Sequence, residues 1–436
     1  MERSKLEEAL QEGEGPGNDL AETLLALGDC AVTTTAEAEA ICAALDRLDE
    51  APAAMPPGLE AGAQDPELAA TPLRLLASLF QRVREPEAFD VLAERGMPRL
   101  LAHYRARLGA SRRNREDLLF LLKVFAMYPS EEGVEEIASA ARRGLWAEDF
   151  LWETILQQFD GEHPHRLLLC DKLRDPLPRG FTAIAFLDFA NGLTIGGDVE
   201  EHPFDSPVGK ALLEGYLTDG DPERYSFAHS ATAALPFVSR PERDRLLALA
   251  LDHPDERVQL EGAWASAMLG SEGGLKLLKH RCLDPRYNGI ARAYLAELER
   301  EDAVPPEAFE PSLVARAELC MWLAHPGEFG RVPDEVEVFD RRRMYWPPSD
   351  DERELWLIRY RYAPREPEGK EEVGVGLVGS IPFCLNGEVT PETSPDDAYA
   401  LHCCWELEVN GDPRAPETRS VEAGRAILAA GPGQTA

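Results

Sequence analysis

Residues 246–270 read LLALALDHPDERVQLEGAWASAMLG, and they decide how the chain is read. A leucine- and alanine-rich helix ends at Leu251-Asp252. His253-Pro254-Asp255 makes a turn, because proline and aspartate favour turns over helix interiors. A second helix opens with Val258. Ala263 and Ala265 keep that helix slim, Leu269 is expected to pack inward, and Gly270 can stop it. The stretch is thus a pair of short amphipathic helices joined by a tight turn.

Working outward, the same texture recurs. In LRLLASLFQRV, Leu73, Leu76, Ala77, Phe80 and Val83 repeat at three and four residues, the period of one helix face. EDLLFLLKVFAMY, FLWETILQQF, VGKALLEGYL and ERDRLLALAL repeat the pattern. Breaks rich in Pro, Gly, Asp or Ser separate them, and Pro241 sits where a helix would begin. Only the segment FTAIAFLDFANGLTIGGD resists assignment on this basis. One helical pair cannot bury its apolar face alone, so neighbouring pairs must stack.

Residues 246–270 resemble one unit of the HEAT-repeat family of α-solenoids. The family's usual arginine after the valine is Gln259 here, a departure from the pattern. Over roughly 66–300 the likeness is one of period, with paired helices recurring at about 30–45 residues. The resemblance implies stacked helical pairs with a partner-binding surface.

Beyond about residue 325 the texture changes. DEVEVFD, RELWLIRYRYAP, EEVGVGLVGSIPFCL and YALHCCWELEV are expected as strands, rich in Val, Ile, Trp and Tyr. NGEVTPETSPDD is expected as a loop, and 421–429 as a helix. The expected class is mainly α, a HEAT-like α-solenoid followed by a small, mostly β (α+β) C-terminal domain. The expected divisions are an acidic lead-in over 1–65, with a short helix at 36–48 and a linker, helical repeats over 66–325, and a β-rich domain over 326–436.

Charge narrows the function classes. The 436 residues include 79 acidic and 45 basic side chains, a net charge of −34. Such a surface repels phosphate backbones and anionic membranes, so neither nucleic acid nor membrane is expected as a partner. The first fifteen residues are too charged for a secretory signal, and no run approaches a membrane span. Eight cysteines without a framework spacing read as reduced thiols in a cytoplasmic protein.

Several motifs carry reactive letters. In a strand over 399–409, Tyr399, Leu401, Cys403, Trp405, Leu407 and Val409 would share an apolar face, leaving His402, Cys404 and Glu406 on the other. A thiol beside an imidazole can be a nucleophile, and all three residues can ligate metal, with Cys384 a further donor. The bland alternative is a packed strand. GVGLVG at 374–379 has the G-x-G-x-x-G spelling but no following helix, so close backbone approach or a bulge is expected instead. Arg341, Arg342 and Arg343, beside Tyr345 and Trp346, form a basic and aromatic cluster, for which pairing with acidic neighbours is expected. His163 and His165 are expected in a turn before a helix. The balance of these readings favours a non-enzymatic protein–protein interaction scaffold without a cofactor. Its partner would carry a basic contact surface, and Trp152, Trp264 and Trp322 are candidate anchors. The rival reading is a thiol-dependent or lyase-type enzyme using Cys404, His402 and Glu406.

Overall fold

A computed structural model describes residues 4–12, 20, 24–25, 30–48, 71–109, 114–364, 369–381, 383–384 and 389–431. The linker expected after residue 50 lies outside the described residues, as do the side chain of Cys384 and the last five residues. The chain divides into two compact units, 1–249 and 250–436. It is mainly helical with one small sheet towards its C-terminal end.

The first unit is built of helices throughout its described residues. They are α1 (Lys5–Glu12), α2 (Thr35–Arg47), α3 (Pro72–Phe80), α4 (Pro86–Val91), α5 (Met97–Gly109), α6 (Arg115–Ala126) and α7 (Glu131–Arg142). Then follow α8 (Leu151–Gln157), α9 (Arg166–Leu173), α10 (Gly180–Ile195), α11 (Pro207–Thr218), α12 (Tyr225–Ala234) and α13 (Glu242–Leu251), within which the division between units falls. The starts are written locally. Thr34 and Glu37 form a reciprocal capping box, and the side chains of Thr71, Asn114, Ser130 and Ser206 each accept a first-turn N–H.

Packing follows chain order with an alternation. α3, α6, α8, α10 and α12 touch in succession, so every second helix from α6 onward belongs to one row. α7 and α9 pack together beside that row, and α11 packs on α12. Trp152, Phe125, Phe159 and Phe186 fill the core, each fully buried. α10 is the segment that period alone did not assign, and the reason is its burial. From Phe181 to Leu187 every residue is buried, so no polar face marks the period. Beyond Gly180 only Asp188, Gly192 and Ile195 are exposed, a stripe one side chain wide.

The second unit opens with the pair α14 (Glu256–Met268) and α15 (Glu272–Arg281), then α16 (Asn288–Glu297) and α17 (Pro311–Leu323). The turn at 253–255 is as read: Asp255 caps α14 through the Arg257 and Val258 amides. The Gln259 side-chain amide donates to the His253 carbonyl at 2.7 Å, holding the turn closed. Gly270 ends the segment at φ +84°. Leu269 is 38% exposed, so the expected inward packing is not found.

The sheet is antiparallel in the order β1 (Glu335–Trp346), β2 (Asp351–Tyr362), β3 (Glu372–Val378) and β4 (Phe383–Cys384). Alternation along β2 gives it two apolar faces. Trp356, Ile358, Tyr360 and Tyr362 face Ala315, Leu319 and Leu323 of α17. Leu355 and Leu357 face Tyr399, Cys403 and Leu407. Those last residues belong to α18 (Pro395–Val409), which packs on α19 (Val421–Ala430).

α18 corrects the strand expected at 399–409. Ser394 caps the Asp397 amide, Pro395 occupies the first turn, and Asp396 and Asp397 complement the helix dipole. An apolar run of this kind satisfies either period, and the start signal in SPDD decides for the helix. The glycines of GVGLVG serve the sheet. A side chain at Gly374 would collide with the Tyr360 ring, and Gly379 turns the chain at φ +104° against the Glu354 carbonyl.

Candidate functional site

In a helix the letters of HCCWE are redistributed. His402 and Glu406 sit one turn apart, with Nε2 and Oε2 separated by 3.8 Å, and both are buried. Glu406 accepts from the Trp346 indole at 2.9 Å and from the Ser380 hydroxyl at 2.6 Å. It therefore ties α18 to the ends of β1 and β3. Complete burial pushes His402 down to about 3, against a smaller opposing effect of a hydrogen bond with the Ile381 backbone, so the ring is neutral. Cys404 turns elsewhere: its thiol donates to the Ser420 carbonyl at 3.8 Å, and burial raises its pKa. Burial raises Cys403 further, within the sheet-facing core. The grouping of Cys404 with His402 and Glu406 on one strand face does not occur, because helical geometry pairs residues four apart.

The remaining sequence candidates are also placed. Trp152 is fully buried and donates to the carbonyls of Leu145 and Trp146. Trp264 is 5% exposed and packs beside Tyr294. Trp322 packs against the α17 face of the sheet. Arg341 pairs with Glu354 and lies over the Trp356 ring at 4.4 Å. Arg342 pairs with Asp340 at 2.7 Å and with Asp396, and Arg343 reaches Glu352 at 3.3 Å. His163 accepts from the His165 amide at 3.2 Å within its turn. Among the described residues no three His, Cys, Asp or Glu side chains are grouped to hold a metal ion.

A different constellation emerges in the first unit, where the N-terminal halves of α8, α10 and α12 meet. Phe150 and Phe181 contact edge to face at 4.6 Å, Phe181 and Phe227 lie at 6.0 Å, and Phe227 and Tyr216 at 6.2 Å. This ladder runs across α8, α10, α12 and α11. Its outer member, Phe150, is 72% exposed. Glu148 stands beside it, its carboxylate against the Gly180 backbone at the start of α10. There it complements the helix dipole. Burial first, and Glu148 second, push Tyr216 up to about 12.

Further along α10 lies Asp188, the one charged residue of that helix. It is exposed, on the narrow stripe of α10 that is left while α8 and α12 pack against that helix. Desolvation raises its pKa, Glu153 of α8 adds to the rise, and a Ser230 hydrogen bond and His229 of α12 oppose it. The sequence carried one signal for this site, a lone aspartate in an otherwise apolar helix. Side-chain period could not show that Phe150, Phe181 and Phe227 would meet.

Two concavities mix both signs of charge. One of about 920 Å³ sets Arg142, Arg174 and Arg179 against Asp175, Glu201 and Asp205. One of about 570 Å³ sets Arg286, Arg359 and Arg361 against Asp284, Asp334, Glu335 and Glu337. No family model matches the chain, and neither a curated protein nor a solved structure matches it. Among the described residues no helix is long and apolar enough to cross a membrane.

Proposed function

We propose that this protein is a cytoplasmic, non-enzymatic interaction scaffold of HEAT-like character that holds a protein partner bearing a basic contact surface. The observation that supports this reading is the groove of the first unit. It combines an aromatic ladder open to solvent at Phe150 with the exposed carboxylates of Glu148, Glu153 and Asp188. An aromatic edge left in water costs hydration free energy, and a carboxylate whose pKa is raised by its surroundings is short of positive charge. A partner with apolar and basic side chains relieves both. The row of alternating helices supports the reading too, since each helix adds its outward residues to one surface.

The test is photo-crosslinking of the full chain in the cells that make it, with a benzophenone amino acid in place of Phe150 and, separately, of Arg343. The expected outcome is a protein crosslinked from position 150, through a Lys- or Arg-rich segment, and none from position 343. Crosslinks from 343 alone would remove the groove from the function.

A further inference from the structure

The larger of the two concavities lies in the first unit, between the α9–α10 and α10–α11 turns, with the end of α7 and the start of α11 beside them. Its volume of about 920 Å³ falls within the span of small-ligand sites, roughly 300–1,000 Å³. Its charges are not equally engaged. Asp205 accepts from the Ser239 amide and hydroxyl, each at 2.9 Å, and pairs with Lys210 at 2.9 Å. The His202 ring is bonded to Asn191 at 3.0 Å, accepts from the Phe204 amide at 3.2 Å, and is neutral because burial lowers it to about 4. Arg174 donates to the Glu201 carbonyl at 3.1 Å, and its carboxylate partner, Asp171, is 3.8 Å away. Arg142 reaches Glu135 at 3.4 Å, and that carboxylate is also held by Lys172. Among the described residues the side chain of Arg179 makes no ion pair or hydrogen bond, and neither do those of Asp175 and Glu201.

We infer that this cavity binds an organic monocarboxylate with an apolar tail, either a free acid or the C-terminal carboxylate of a polypeptide. With Asp205 matched by Lys210, three guanidiniums remain against the two carboxylates of Asp175 and Glu201, an excess of one positive charge. A ligand with one negative charge closes that balance. A doubly charged phosphate overshoots it and is repelled by Asp175 and Glu201. A planar carboxylate also matches a guanidinium through two parallel hydrogen bonds, and Arg179 has its N–H donors to offer. The rest of the wall asks for the tail. Leu177, Pro178, Val208 and Leu212 line the cavity, and Val208 is 64% exposed. An alkyl group laid on them removes apolar surface from water on both sides. This site is independent of the scaffold reading, which rests on the residues around Phe150.

The experiment is isothermal titration calorimetry of the full-length chain with hexanoate, hexylamine and hexanol, at a fixed ionic strength of roughly 0.15 M. The expected result is binding of hexanoate at about 1 mM or tighter, with hexylamine and hexanol at least about tenfold weaker. An acetylated alanyl-alanyl-leucine peptide, as its acid and as its amide, decides the source. If the acid binds about tenfold more tightly than hexanoate and the amide does not bind, the occupant is a chain terminus; otherwise it is a free acid. Arg179→Gln, Asp175→Asn and Val208→Ser locate the site. All three positions are exposed, so the variants are expected to keep the parent's circular dichroism. Arg179→Gln should weaken hexanoate about tenfold and Val208→Ser about threefold. Asp175→Asn should strengthen it about threefold, because a like charge is removed. Hexanol binding as well as hexanoate would mean a cavity indifferent to charge, and hexylamine binding better would mean a cation site. Either result would overturn the inference, as would no heat from any probe, or hexanoate binding that ignores Arg179→Gln or is weakened by Asp175→Asn.

Discussion

Glu406 shows what decides whether a reactive residue is chemical or structural. Its carboxylate is buried, and both its oxygens accept hydrogen bonds, from Ser380 and from the Trp346 indole. Buried acceptors with two partners hold elements together and are costly to disturb. His402 beside it is neutral at every physiological pH, because burial holds it at about 3. A neutral, enclosed imidazole does not stabilise a thiolate, and Cys404 faces Ser420 instead. The outcome can be measured on the thiols. In the native protein Cys403 and Cys404 are expected to react with a maleimide at least about a hundredfold more slowly than a free thiol near neutral pH, because both are buried with raised pKa. In denaturant both should label at the free rate. Fast labelling of Cys404 in the folded chain would revive the thiol-enzyme reading.

At the scale of elements, contact between helices is set by residues too small to notice. A side chain on Gly274 of α15 would collide with the Ala263 carbonyl and the backbone of Ala267 on α14. Gly215, on the exposed side of α11, would meet nothing. The same substitution therefore has opposite signs. Gly274→Ala is expected to destabilise by about 2 kcal/mol through overpacking. Gly215→Ala should stabilise by about 0.5–1 kcal/mol through helix propensity and a less disordered unfolded chain. Thermal melts of the two variants check this, and equal shifts would mean that α14 and α15 do not approach as described. Element type was legible where turn signals or composition mark it, as at His253-Pro254-Asp255 and in the Val-, Trp- and Tyr-rich β1 and β2. It was not legible where burial erases the period. α10 gave no period because it is enclosed almost all round, and α18 gave a strand's alternation because both of its faces are buried. The candidate groove was unreadable for another reason. Phe150, Phe181 and Phe227 come from three separate segments, and only packing brings them together.

For the whole molecule the dominant facts are a net charge of −34 and a set of histidines kept neutral by burial. Burial holds His202 at about 4, with Asp205 opposing weakly, and His402 at about 3. His163 and His253 are lowered in the same direction. In the unfolded chain each returns to about 6.5. Between these values the unfolded state binds more protons than the folded one, so stability is present above about pH 6.5 and is lost as pH falls. Paired carboxylates such as Asp46, Asp205 and Glu214 act in the same direction but only in a lower window, since their folded values lie below the usual carboxylate range. Relief of self-repulsion opposes the trend. It is small in the histidine window, because only the 9 histidines change charge there against a surplus of 34. In roughly 1 M salt the Debye length is about 3 Å, which removes most of that opposing effect. Under those conditions the melting temperature is expected to fall by roughly 5 °C or more between about pH 7.5 and pH 5. Replacing His202 with glutamine, whose amide can still reach Asn191, should flatten the slope by about one proton. A melting temperature indifferent to pH over this range would show that the buried rings accept protons without unfolding, and so that the cores around His202 and His402 are open to water.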